Sequence, residues 1–393
     1  MSLPARLIAF YLPQFHPIPE NDKWWGKGFT EWTNVVKAKP LFKGHYQPRL
    51  PADLGFYDLR VPEVREAQAE LARNAGIEGF CYYHYWFGGK TLLERPFNEV
   101  IASGKPDFPF CLCWANQTWS GVWHGAPGRI LMEQTYPGPD DNRRHFLALR
   151  DAFMDRRYLR VDNRPVFVIF RPGGIPNVAD FIRQWQELAD QSGLPAIHFV
   201  AHLFNRESDW DYRSRGFDSR VIVNHQKVFG VSTRELFRGA NENGRWLQSL
   251  WRYYRSARGQ FSNVWLYADA RRCLLDGCSQ QADAYPCVVP NWDNTPRSGA
   301  RGYVLHGSTP ELFRTHLRGA LTLVQSRPLN QRLVFIKSWN EWAEGNYLEP
   351  DARFGNGYLE VLKQEVLATR DQVAMHGVTP PAESIMAGSA AQG

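Results

Sequence analysis

Glu341 and Glu344 lie three residues apart in the stretch W-N-E-W-A-E-G, with Trp339 and Trp342 beside them. Cleavage at a glycosidic centre needs a proton donor for the leaving oxygen and a second carboxylate to handle the anomeric carbon. On a helical turn, residues at this spacing fall on one side, roughly 5–6 Å apart at Cβ. Crowding two acids against apolar rings raises at least one carboxyl pKa, which keeps a glutamate protonated near neutral pH. A surface helix with acids in its first turn produces the same E-x-x-E spacing. The surroundings of the pair therefore decide the reading.

Those surroundings are aromatic and amide-rich. Tyr11, Gln14 and His16 close one apolar run; Tyr83, Tyr85 and Trp86 close another; Trp114, Asn116 and Gln117 follow a third. His202 ends a later run, Trp292 and Asn294 the next to last, and Asn340 and Trp342 frame the acids themselves. Glu31 and Trp32 lie in the long segment after the first run. Ten of the 15 tryptophans fall at a run end or in one of two early loops, which marks one face as a ring-lined cleft. Sugars present apolar C–H faces that stack on rings and hydroxyl edges that need donors and acceptors, and this set supplies both. These residues are the expected substrate contacts, and Glu341 and Glu344 the expected catalytic pair.

Eight short apolar runs must position them: 6–12, 77–87, 109–115, 165–170, 196–204, 219–223, 284–292 and 332–339. Near-continuous apolar runs suit strands buried on both faces, as in a parallel sheet. Amphipathic segments alternate with them at 63–76, 181–193, 311–325 and 357–372. Gly76 is placed to end the first helix, and Ser308-Thr309-Pro310 to start the third with a cap and a first-turn proline. The alternation predicts an α/β chain folded as a (β/α)8 TIM barrel, with long loops after strands 1, 3 and 6. Loops after barrel strands gather at the C-terminal face, where such enzymes place their chemistry. A doubly wound open sheet is the alternative, but no glycine-rich phosphate turn follows an early strand. With no linker or repeat in view, residues 1–377 read as a single catalytic barrel and 378–393 as a disordered tail.

Composition excludes several functions. The net charge is +6, and lysines and arginines are scattered, which reads as a solvated surface and predicts no nucleic-acid partner. No apolar stretch approaches the roughly 20 residues of a membrane span. The first 16 residues lack signal-peptide features and the six cysteines read as buried thiols, so a cytoplasmic, reduced protein is expected. Histidines and cysteines show no metal-ligand spacing, and no nucleophile elbow or P-loop occurs. No metal and no cofactor are expected. Glu349 and Asp351 read as surface acids or loop hydrogen-bonding groups.

Several longer stretches carry a resemblance. FYLPQFHPIPENDKWWGKGFTEWTNV, GFCYYHYWFGGK, FCLCWAN, PNWDNTPR and WNEWAEGNYLEPD resemble, in order and across almost the whole chain, the WbsX-like family found with bacterial surface-polysaccharide genes. That family is similar in turn to the family 99 endo-α-mannosidases, barrels with Y-N-E-W-x-E-G after the last strand. The resemblance implies a retaining, endo-acting glycoside hydrolase or transglycosylase acting through a 1,2-anhydro sugar. It implies that Glu341 takes the proton of the sugar 2-hydroxyl and Glu344 serves as acid and base at the glycosidic oxygen. It implies an α-manno- or α-rhamno-configured poly- or oligosaccharide. The loop WANQTWSGVWHG departs from the family pattern, with Gln117 and His124 where acids are usual. Two other readings stand beside this one: a glycosyltransferase of O-antigen or capsule assembly, and a non-catalytic carbohydrate-binding barrel.

Overall fold

The computed structural model describes residues 5–121, 129–204, 207, 210–225, 263–278 and 283–376. The 378–393 tail, His124 and most of the connection between the sixth and seventh strands lie outside the described residues.

Each of the eight apolar runs forms one parallel strand. These are β1 (Arg6–Tyr11), β2 (Ile77–Phe87), β3 (Phe110–Trp114), β4 (Arg164–Ile169), β5 (His198–Phe204), β6 (Ser219–Val223), β7 (Ala284–Val288) and β8 (Leu333–Ile336). They pair in chain order, and β1 pairs with both β2 and β8, so the sheet closes into a (β/α)8 barrel. The residues of β3 and β5 are buried throughout, as strands covered on both faces must be.

The helices are α1 (Pro19–Trp25), α2 (Glu31–Lys37), α3 (Pro62–Asn74), α4 (Arg95–Ser103), α5 (Pro139–Met154), α6 (Val178–Gln191), α7 (Pro310–Val324) and α8 (Gly357–His376). Helices α3 to α8 cover the outside, while α1 and α2 lie in the connection after β1, with α2 against the Trp342–Glu344 turn. On α6, Val178, Phe181, Ile182, Trp185, Leu188 and Ala189 are buried, the spacing of one helical face turned to the sheet. Gly76, at φ +85°, follows the last turn of α3 and lets the chain reverse into β2. Thr309 caps α7 by accepting the Leu312 N–H at 3.3 Å, with Pro310 in the first turn.

Strand parity separates two aromatic layers. Phe10, Tyr83 and Phe335 stack within the barrel. Tyr82 packs instead on Phe97 of α4, and Trp86 on His145 of α5, in the outer layer. All six cysteines are free; Cys81, Cys111 and Cys113 are buried beside one another. Among the described residues no helix is long and apolar enough to cross a membrane.

Candidate active site

The W-N-E-W-A-E-G stretch is a tight hairpin, not the helical turn its spacing suggests. Asn340–Glu341 pairs antiparallel with Asn346–Tyr347 across a 3-10 turn at Trp342–Glu344. Gly345 closes the turn at φ +53°, and a Cβ there would meet the Asp293 Cβ at 2.8 Å. Both geometry and space therefore demand glycine. The Asn340 amide clamps the hairpin to the end of β1, accepting the Leu12 N–H at 2.7 Å and donating to the Leu12 carbonyl at 3.0 Å. Trp342 stacks on Tyr347 at 3.8 Å and donates its indole N–H to Glu349 at 2.6 Å.

Glu341 and Glu344 leave this frame side by side and share a hydrogen bond. Their outer partners differ. Lys337, the residue after β8, places Nζ 3.3 Å from both Glu341 carboxylate oxygens and donates to the Tyr83 hydroxyl at 3.2 Å. The same ammonium lies 5.7 Å from the ring centres of Tyr83 and Trp292. Arg297 donates to Glu344 Oε1 at 2.7 Å and contacts Glu31 Oε2 through Nε and Nη2, each at 3.1 Å. Glu31, the first residue of α2, is buried.

This cluster holds three carboxyls and two cations, so a single retained proton makes it neutral. Burying net charge is costly, which favours that one-proton state. Burial pushes the Glu341 carboxyl upward, but Lys337, the bond from Glu344 and Arg297 together hold it below the usual carboxylate range. Burial and the charge of Glu341 push Glu344 well above that range, against the pull of Arg297. The proton therefore resides on Glu344, whose side chain keeps 16% of its surface accessible against 6% for Glu341. The arrangement pairs an ionised base with a neutral acid at one place.

The structure brings Glu31, Tyr83, Tyr85, His202 and Trp292 around the acids. Glu341, Arg297 and Glu31 all act electrostatically on Tyr85. Burial and then Lys337 lower the His202 imidazole to about 3, so it is neutral. Trp292 stacks on His225 at 4.1 Å.

Other expected contacts lie elsewhere. Tyr11 points to the helix layer and donates to Gln68 of α3 at 2.7 Å. Trp86 donates to Asp141 at 3.0 Å and Trp114 to the Trp86 carbonyl at 3.2 Å, both in the outer layer. Asn116 bonds the backbone N–H and carbonyl of Arg171, which fixes the loop after β3 to the end of β4. Trp32 donates to the Tyr57 carbonyl and packs behind Trp342. His16 is buried among the charges of Asp58, Arg60 and Arg95, none of which belongs to the cluster. Gln14 offers its carbonyl to the Glu31 N–H, Asn294 accepts the Tyr303 N–H, and Gln117 is exposed. Asn340 and Trp342 are the frame of the hairpin, as described. Glu349 and Asp351 are buried, not superficial, and serve as loop hydrogen-bond acceptors.

Sequence reasoning missed Lys337 and Arg297. A lysine ending a buried apolar run was the available signal for the first. The second follows Asp293, which is fully buried and bonds His45 at 2.8 Å and Gln47 at 2.7 Å, joining the loop after β7 to the loop after β1. Among the described residues, no group of three His, Cys, Asp or Glu could hold a metal ion.

Known structures share this fold. A glycoside hydrolase-like protein superposes with a TM-score of 0.55 at 15% identity, covering 92% of this chain and 94% of its own. The GH99 endo-alpha-mannosidase of Bacteroides thetaiotaomicron superposes with a TM-score of 0.52 at 15% identity, covering 94% and 98%. In sequence, the protein WxcX of Xanthomonas campestris pv. campestris is 40% identical over 374 residues, 94% of this chain and 51% of WxcX. The chain thus spans about half the length of that curated relative. The model of the family described as glycosyltransferase WbsX matches residues 7–362, and the chain belongs to that family.

Proposed function

We propose that this barrel is a retaining, endo-acting glycoside hydrolase or transglycosylase that acts on α-manno- or α-rhamno-configured bacterial surface polysaccharide. The observation that carries the reading is one carboxyl pair with divided partners, Lys337 on Glu341 and Arg297, shared with Glu31, on Glu344. In the first step Glu341 accepts the proton of the 2-hydroxyl as that oxygen attacks C1. The bond from C1 to the leaving oxygen breaks, and Glu344 gives that oxygen its proton. In the second step Glu344 takes a proton from water or an acceptor hydroxyl, whose oxygen attacks C1. The 1,2-anhydro ring opens and O2 recovers the proton from Glu341. Configuration is retained because C1 is inverted twice. Lys337 keeps Glu341 ionised for the first step, and the neutral hydroxyls of Tyr83 and Tyr85 are placed to bond sugar oxygens.

Endo action is supported by an aromatic edge that leaves the pair. Trp119 meets Tyr85 at 5.1 Å and Trp24 at 5.9 Å, and both indoles are half-buried. That edge gives further sugar rings a surface to stack on. The test is release of oligosaccharide from an α-mannan or a rhamnan, with the anomer of the first product read by NMR. Retention is expected, with loss of release in Glu341→Gln and in Glu344→Gln. Full activity in either variant sinks the assignment.

The description of the family favours a second reading, transfer from a nucleotide sugar. It predicts a rise in melting temperature with a nucleotide sugar and none with an oligosaccharide alone.

A further inference from the structure

Glu31 reaches the pair through Arg297: its carboxylate accepts the Nε–H and lies 3.1 Å from Nη2, leaving Nη1 to Glu344. An arginine bound to one carboxylate alone would favour the ionised form of that carboxylate strongly. Here the guanidinium is divided between two. We propose that Glu31 is a positioning residue that holds the proton on Glu344 by occupying Arg297. This rests on the reading of Glu344 as the acid, but the placement of the proton can be measured without any substrate.

Among the described residues, the charged and titratable groups around Glu344 come from several elements. Glu341 lies on its own hairpin, Lys337 comes from the end of β8, and Tyr83 comes from β2. Arg297 comes from the short helix Thr295–Ser298, and Glu31 reaches the site through it from α2. Glu31 and Glu341 supply the negative charge that offsets Arg297 and Lys337. Removing the charge of Glu31 leaves two cations facing two carboxyls, and the cluster then becomes neutral by losing the last proton, which is the one on Glu344. The geometry gives Arg297 two opposed effects: it orients the acid, and without Glu31 it would discharge it. The α2 capping arrangement at Thr30 and the bond from Glu31 N–H to the Gln14 carbonyl at 3.2 Å keep Glu31 in place for this task.

The experiment compares the full chain with Glu31→Gln, Glu31→Asp, Arg297→Gln and the double variant Glu31→Gln/Arg297→Gln. The Glu344 carboxyl is titrated by 13C NMR of protein labelled at the glutamate side-chain carboxyl, assigned by its loss in Glu344→Gln. Where turnover is measurable, the alkaline limb of kcat/KM is read in parallel. The Glu344 titration is expected to fall by about one to two pH units in Glu31→Gln. It is expected to hold near the wild-type position in Glu31→Asp and to return toward it in the double variant. If Glu31→Gln does not fold, Arg297→Gln carries the test, with an upward shift expected. A Glu344 titration that stays in place in folded Glu31→Gln, or in Arg297→Gln, overturns the proposal. Absence of turnover on every polysaccharide overturns the hydrolase reading, while the NMR titration still decides this one.

Discussion

Glu344 and Glu349 are neighbours in the chain, and burial pushes both carboxyls above their ordinary range, Glu349 to about 7. Their surroundings differ in kind. Glu349 is closed off and receives neutral donors: the Trp342 indole at 2.6 Å, the Gln68 amide at 2.6 Å and the Tyr57 hydroxyl at 2.9 Å. Glu344 faces a second carboxyl and an arginine, and its side chain is partly exposed. A raised carboxyl is therefore no signature of catalysis by itself. What distinguishes Glu344, the proposed acid, from Glu349 is its charged partners and its partial exposure.

The contrast is best broken by removing each acid. Glu341→Gln and Glu344→Gln are each expected to lower turnover by about 10²–10⁴-fold, the range for one general acid or base, with little change in melting temperature. Glu349→Leu should do the reverse. It leaves buried donors without an acceptor and is expected to cost about 3 kcal/mol or more in urea unfolding, with turnover per folded molecule within tenfold of wild type. A loss of turnover in Glu349→Leu at unchanged stability would make the two acids equivalent and end the comparison.

Lys337→Met probes the charges next. Removing the ammonium takes away the group that offsets burial at Glu341, so its carboxyl should titrate higher. On the proposed mechanism, activity needs Glu341 ionised and Glu344 protonated. It is therefore expected to fall on the acid side only below the usual glutamate range of about 4.3, and on the alkaline side only above it. In Lys337→Met the acid limb of kcat/KM should move up by about one to two pH units. An acid limb that does not move separates Lys337 from the chemistry. The smallest effect belongs to a site remote from both acids. Thr309→Ala removes the α7 cap and should cost about 1 kcal/mol with turnover unchanged.

Most of the barrel was legible because its strands are apolar without interruption. That same property hid the direction of each side chain. A strand buried on both faces shows no polar alternation, so nothing in YYHYWF tells Tyr83 and Tyr85, which look inward, from Tyr82 and Trp86, which look outward. Tyr11 and Trp114 were misplaced for this reason. The acid pair was legible because two carboxylates beside two tryptophans are rare on a surface, though the tryptophans proved to be scaffold. Arg297 was not, because a loop arginine looks solvated until the loop is seen folded onto α2. Lys337 is equally hidden, because its one signal, a place at the end of an apolar run, does not separate a buried lysine from a solvated one.

The contacts that assemble the pair span nearly the whole chain. Arg297 and Glu31 are 266 positions apart, Asn340 and Leu12 are 328 apart, and Tyr57 and Glu349 are 292 apart. Pairings this distant form late, since the chain between them must be ordered first. During synthesis the N-terminal strands and helices emerge long before Glu341 and Glu344 exist. Glu31 must then wait as a solvated side chain until the eighth strand closes the ring. Recovery of turnover after dilution from denaturant should therefore lag behind recovery of helical signal.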